Sequence, residues 1–329
     1  MGLRTIGLAL VSLVCLTGSA AAIELGLPAE CTLGTNCFLQ QSPDMQAGPG
    51  ATDPFCGIAT YDGHDGVDLR VLSMKDVARG VPVVAAADGE VLRGRDSVPD
   101  RLVQTDADRQ AVADRECGNG VIMKHADGTE TQYCHLKQGS IVVRPGEKLK
   151  AGDKIGEVGA SGLAQFPHVH MTVRVSGEEI DPLTGRKIGD GCVANRADAD
   201  PLFSKAVMDA LPHDKPDVLG FGLAGAVVDY DTLAIDGPPA DAASGDQAAV
   251  IWGWIANLKA GDRLRFTMTD PSGQPLIDTM TEPLDRNKAV YSAYSGKRGA
   301  PVQGSYSIGL EIIRDSKAIV DRKTIINVK

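Results

Sequence analysis

From Tyr61 to about Phe203, short apolar runs alternate with glycine-containing turns, the pattern of β structure. Residues 81–87 run into Asp88-Gly89 and resume at 90–92, which predicts one hairpin; residues 120–125 and 129–136 flank Asp127-Gly128, which predicts a second. Residues 141–143, 154–158 and 169–175 continue the series as strands. Long amphipathic helices do not alternate with these runs, which argues against a parallel α/β sheet. A charged segment, 93–117, breaks the rhythm and reads as a long loop with a helical turn around 109–114. Residues 204–211 suit one short helix before a connector containing Pro and Asp. Beyond about Gly220, alternating runs at 249–255, 263–269 and 306–313, with turns at Pro271-Ser272-Gly273 and Asp315-Ser316, fit a β-sandwich. The expected fold is mostly β: an antiparallel β-sheet or barrel-sandwich domain at 56–203, a linker at 204–219 and an immunoglobulin-like β-sandwich at 220–329.

Composition adds the compartment. Residues 1–22 read as a secretory signal, with Arg4 as the positive start, an apolar run over 6–16 and Ala20-Ala21-Ala22 as the cleavage site. That run is shorter than the roughly 20 residues a membrane span needs. Val14 before Cys15 is bulkier than a lipidation site usually accepts, so a lipoprotein is set aside. Residues 23–55, rich in Pro, Gly, Ala and Gln and without a sustained period, read as an extension ordered by disulfides. Cleavage removes one basic residue and leaves Cys31, Cys37, Cys56, Cys117, Cys134 and Cys192. An even count in an exported chain implies up to three disulfides among 15 connectivities. Cys31–Cys37 would close a short loop, and Cys117–Cys134 would tie the ends of one hairpin region. The net charge of −10, with no basic stripe, argues against a nucleic-acid partner. Export into a periplasm is preferred to full secretion.

The chemistry lies in histidine. Of six histidines, four fall in three short motifs: His64 with Asp68 in HDGVD, His135 in YCHL, and His168 with His170 in HVH. Imidazole and carboxylate are the donors zinc takes, and catalytic zinc keeps three protein ligands and one open position. His64 and Asp68 in one extended strand would stand roughly 13 Å apart, so Gly66 is expected to fold the chain back between them. In HVH, strand alternation puts both imidazoles on one face, and in YCHL it puts Tyr133 with His135 and Cys134 with Leu136.

These motifs in this order resemble the lysostaphin-type (LytM-like) zinc metalloendopeptidases, which cut cell-wall peptides. Supporting matches are VPVVAAADGEV, GNGVIMKHADGTETQYCHL, and RPGEKLKAGDKIGEVGASG leading into FPHVH, and together they cover about residues 56–183. The resemblance implies that His64, Asp68 and His170 bind one Zn2+ per chain. It implies that His135 and His168 are the catalytic pair, orienting water and stabilising the tetrahedral intermediate in hydrolysis of peptidoglycan stem-peptide cross-links. The alternative it leaves is a non-catalytic relative of the same fold that binds peptidoglycan or regulates an amidase. The family often carries a Phe-Glu pair after H-x-H, where this chain has Met171-Thr172, so a supporting carboxylate is missing at that place. The 93–117 insertion is longer than the family's minimal hairpin and bears on substrate preference.

His125 at a hairpin turn and His213 in the linker are read as solvated surface residues. The glycine spacing of PGEKLKAGDKIGEVG also resembles biotinyl and lipoyl carriers, but no lysine sits at the required hairpin tip. Trp252 and Trp254 share a strand face; a packed aromatic pair is preferred to a wall-binding surface. The C-terminal domain offers a surface on which an envelope protein partner could dock.

Overall fold

The computed structural model describes residues 23–211 and 215–329. Residues 1–22, expected to be a secretory signal, and His213 lie outside them. Strands dominate: β1 (Cys37–Gln41), β2 (Val67–Val71), helix α1 (Met74–Arg79), β3 (Pro82–Val84), β4 (Gly89–Arg95), helix α2 (Asp106–Ala111), β5 (Asn119–Lys124), β6 (Glu130–Leu136), β7 (Lys148–Leu149), β8 (Lys154–Glu157), β9 (His168–Val175) and β10 (Glu178–Ile180). Helix α3 (Lys205–Ala210) leads to β11 (Asp217–Ala224), helix α4 (Tyr230–Asp236), β12 (Ala248–Leu258), β13 (Arg263–Thr269), β14 (Pro275–Met280), β15 (Lys288–Arg298), β16 (Gly304–Arg314) and β17 (Lys317–Val328).

The main sheet is antiparallel, in the order β1-β2-β9-β6-β5-β4-β7, with β10 added to β9. Its inner face is built by strict alternation. Val67, Leu69 and Val71 of β2 and Val169, Met171 and Val173 of β9 enter one core with Val83 of β3 and Ile155 of β8. The residues between them, Asp68 and Arg70 on β2 and His168, His170 and Thr172 on β9, face the other way. That polar row is the platform of the site.

Local expectations fared unevenly. Strands β5 and β6 form the predicted second hairpin. The first does not exist: β3 pairs with β8, and β4 pairs with β5 and β7. The apolar run up to Ala87 and the strand after Gly89 belong to different layers, so Asp88-Gly89 is a crossing between layers. Residues 141–143 are irregular, and the helical turn of the insertion begins earlier than expected, at Asp106, where Thr105 and Asp108 make a reciprocal cap. Segment 23–55 supplies a strand the pattern did not reveal, β1, which pairs with β2. Disulfides join Cys31–Cys37, Cys56–Cys192 and Cys117–Cys134.

Two further sheets, β11-β12-β15 and β14-β13-β16-β17, share a core of Leu223, Ile251, Ile255, Phe266, Met268, Ile308 and Leu310. The two tryptophans are not a surface pair: Trp252 and Trp254 are buried with Phe38 of β1, Leu72, Leu219 and Leu233 where these sheets meet the main one. No helix among the described residues is long and apolar enough to cross a membrane.

Candidate functional site

The main sheet itself brings most of the site together. Asp68 on β2 and Cys134 on β6 are both cross-strand partners of His170 on β9, and Arg70 is the partner of His168. Opposed side chains in an antiparallel ladder start about 4.5–5.5 Å apart, so register alone delivers Asp68 to His170. His64 reaches them from the loop before β2. There the chain turns with Gly63 at φ +78°, His64 N–H donates to the Tyr61 carbonyl at 3.1 Å, and the Tyr61 ring stacks on the imidazole at 4.4 Å. Gly66 has a different reason from the one expected. Its backbone is not left-handed; instead, a Cβ there would lie 2.5 Å from the Met171 carbonyl and 2.7 Å from His170 Nε2. Glycine leaves room for the His170 ring.

His135 breaks the expected alternation. The β5–β6 ladder shifts register between Asn119 and Val121, so Cys134 and His135 together face Gly120, and His135 takes φ +62°. Through this bulge Tyr133 and Leu136 both enter the core, while His135 turns to the site. The predicted sharing of a face by Tyr133 and His135 therefore fails, yet His135 arrives where it is needed. Its ring centroid is 4.5 Å from that of His168 and 6.0 Å from that of His170. Cys117, tied to Cys134, accepts the His135 N–H on its carbonyl at 2.8 Å.

Hydrogen bonds assign the imidazole tautomers. Nδ1–H of His64 donates to the Ser42 carbonyl, that of His135 to the Ser161 carbonyl and that of His168 to the Phe166 carbonyl, each at 2.7 Å. Each Nε2 is left with its lone pair. His170 is reversed: its Nε2 donates toward Asp65 Oδ1 at 3.1 Å and Thr172 Oγ1 at 3.0 Å, which leaves Nδ1 facing inward. Asp65 was not anticipated, although it sits inside HDGVD. With Thr172 it supplies the support that the missing glutamate would have given. The backbone carbonyls had no side-chain signal to reveal them.

Three acceptors thus converge. His64 Nε2 lies 3.1 Å from Asp68 Oδ1 and 3.2 Å from His170 Nδ1, and the latter two are 2.9 Å apart. A tetrahedral ion with bonds of about 2.0–2.1 Å separates its ligands by about 3.3 Å. Lone pairs packed this closely repel unless a cation or proton lies among them, so the donor set fits a divalent ion. These are the one group of histidine and acidic side chains among the described residues whose donors meet this way. His168 Nε2 stands 3.5 Å from Asp68 Oδ1, just outside.

The electrostatics agree. Burial works against a charge on Asp68, but the imidazoles around it, those of His64 and His168 first and then that of His170, hold its carboxyl well below the usual range. Burial likewise opposes the charge on Asp65, and the His170 hydrogen bond and nearby charges overcome it. Burial would lower His170, but hydrogen bonds to Asp65 and Asp68 and their charges raise it to about 9. Burial, with His168 and His170 beside it, pushes His135 well down; burial also lowers His168, against the pull of Asp68. Both flanking imidazoles are neutral bases at pH 7. A cleft lined by Tyr61, Asp65, Glu116, Gln132, Leu163 and Thr172 opens onto His135 and His170.

Residues 62–182 match the model of peptidase family M23. Cell division protein DipM of Caulobacter vibrioides is 30% identical over 125 residues, 36% of this chain and 17% of DipM. DD-carboxypeptidase/endopeptidase Mpg of Neisseria meningitidis is 29% identical over 126 residues, 38% of this chain and 23% of Mpg. Murein hydrolase activator NlpD of Salmonella typhimurium is 27% identical over 125 residues, 38% of this chain and 26% of NlpD. The chain thus spans about a quarter or less of the length of these relatives. Among solved structures, the catalytic domain of the prophage-encoded M23 protein EnpA of Enterococcus faecalis aligns at 24% identity with a TM-score of 0.30, covering 49% of this chain and 94% of that one.

Proposed function

We propose, from the premise that residues 62–182 are a peptidase family M23 domain, that this protein is an exported zinc metalloendopeptidase that hydrolyses stem-peptide cross-links of peptidoglycan in the periplasm. In this reading 56–203 is the catalytic unit and 220–329 an accessory β-sandwich. The observation that carries it is the convergence of His64, Asp68 and His170 with two neutral imidazoles beside them.

The roles follow from the hydrogen bonds. His64, Asp68 and His170 hold the ion; Ser42, Asp65 and Thr172 keep the two ligand imidazoles turned inward. A zinc ion bound there supplies Lewis-acid chemistry, polarising the scissile carbonyl and lowering the pKa of water. His135 presents Nε2 to the cleft, and the centroid of the His168 ring lies 4.5 Å from its own. One takes the proton of the attacking water, and the protonated imidazole then donates to the developing oxyanion or leaving amine.

The relatives named as activators keep a second reading in view, a regulator that binds sacculi without cutting them. Zinc content of protein purified without added metal, and mass analysis of fragments released from purified sacculi, decide between them. The enzyme reading expects one zinc per chain and new peptide termini. His135→Ala should lose turnover and keep zinc, whereas His64→Ala should lose the metal. A zinc-free, inert protein that binds sacculi tightly would overturn the reading.

A further inference from the structure

Arg70 is fully buried on β2, two residues from Asp68 and opposite His168 in the ladder. No carboxylate pairs with it among the described residues. Its Nη1 donates to Gln40 Oε1 at 2.8 Å, its Nη2 to the Leu72 carbonyl at 3.3 Å, and its Nε has no partner. A buried charge without an opposite charge is costly. Tyr230 of α4 supports the charge by a side-chain hydrogen bond, and two aromatic faces flank it: the guanidinium carbon lies 5.0 Å from the Phe166 centroid and 4.7 Å from that of Trp254 on β12.

The contacts continue to the site. The Phe166 ring is 4.5 Å from the His168 ring at 32° to it, and the Phe166 carbonyl accepts the His168 Nδ1–H. Phe166 lies in the bend before β9, where no ladder fixes it, so its ring needs a backstop; Arg70 supplies one. Arg70 is itself held from the C-terminal sheets twice. Trp254 packs on the guanidinium, and Asn257 Nδ2 donates at 2.8 Å to the carbonyl of Gln40, the residue whose side chain receives Nη1.

We infer that Trp254 and Arg70 are positioning residues for His168, and that the C-terminal sheets set the geometry of the site through the series Trp254, Arg70, Phe166, His168. The inference rests on the catalytic role proposed for His168. Misplacement of a reacting group by about 1 Å costs on the order of a hundredfold in rate, so a partial loosening of the ring should cost about tenfold.

The test uses the full chain, with cleavage of soluble cross-linked muropeptides, zinc content and the 15N resonances of the His168 ring measured together. Trp254→Leu, which stays apolar but is smaller and has no ring, and Arg70→Met, which keeps an unbranched stem but is shorter and has no cation, should each lower kcat about tenfold. KM should stay within twofold and zinc at one per chain. Trp254→Phe should restore kcat to within twofold of wild type, and the His168 resonances should move in the first two variants and return in the third. Arg70→Met decides the matter should Trp254→Leu not fold. Unchanged kcat and resonances in either folded variant would overturn the inference, as would a loss that Trp254→Phe does not rescue. If wild-type protein cuts nothing, the proposed function fails, and the His168 resonances alone then decide the positioning series.

Discussion

Gly66→Ala tests the geometry of the proposed metal centre without replacing a proposed ligand. The added Cβ would meet the Met171 carbonyl at 2.5 Å and His170 Nε2 at 2.7 Å, where ordinary contact begins at 3.4 Å. The carbonyl belongs to the β2–β9 ladder, where Val67 faces Met171, so it has little freedom to retreat. The carbonyl contact remains as backbone strain, and the His170 ring must retreat by roughly 0.6–0.7 Å, whereas metal–ligand distances tolerate about 0.2 Å. The same displacement pulls Nε2 from Asp65 and Thr172. Loss of such support costs about 10–100-fold in metal affinity, or about 1.4–2.8 kcal/mol at 1.4 kcal/mol per tenfold. Overpacking costs the fold about 1–3 kcal/mol, offset by about 0.4–1 kcal/mol because alanine restricts the unfolded chain. Competition titration with a chromophoric chelator gives the zinc dissociation constant, and urea unfolding of the metal-free form gives the stability. A Gly66→Ala protein that binds zinc within threefold of wild type would refute the close-approach argument.

Two further outcomes follow from the same geometry. Asp65→Asn should weaken zinc binding about tenfold while leaving the fold intact, because a neutral amide holds the His170 Nε2–H less strongly than a carboxylate does; chelator competition measures it, and unchanged affinity would remove Asp65 from the site. In metal-free protein His170, raised to about 9, carries a proton at neutral pH that zinc must displace, so apparent affinity should rise about tenfold per unit between pH 7 and 8.5. Its sign in stability is opposite: the contribution of protonated His170 is complete below about pH 6.5 and fades as pH rises through about 9. Calorimetry in buffers of different ionisation enthalpy should show about one proton released per zinc near pH 7.5, and no release would contradict the assignment.

Much of this was legible because a strand writes its faces into alternate residues. The row Val67, Leu69, Val71 against Asp68 and Arg70 separates core from site by simple parity, as does Val169, Met171, Val173 against His168, His170 and Thr172. Parity misled at YCHL, where one extra residue on β6 moves His135 to the site face and returns Leu136 to the core. The hairpin signal at Asp88-Gly89 misled for a related reason: a turn signal says that the chain turns and does not say which strand receives it.

Residue types and short spacings were therefore set by the chain alone: the histidine and aspartate donors, the β character, the glycines and the even cysteines. Long-range proximity was decided only by the tertiary structure. Pairing of β2 with β9 carries Asp68 to His170 across 102 residues, Ser42 and Asp65 become partners of His64 and His170, and Trp254 reaches Arg70 from another sheet. The physical reason is that local preference acts over a few residues, whereas the register between distant strands is chosen by burying both apolar faces at once.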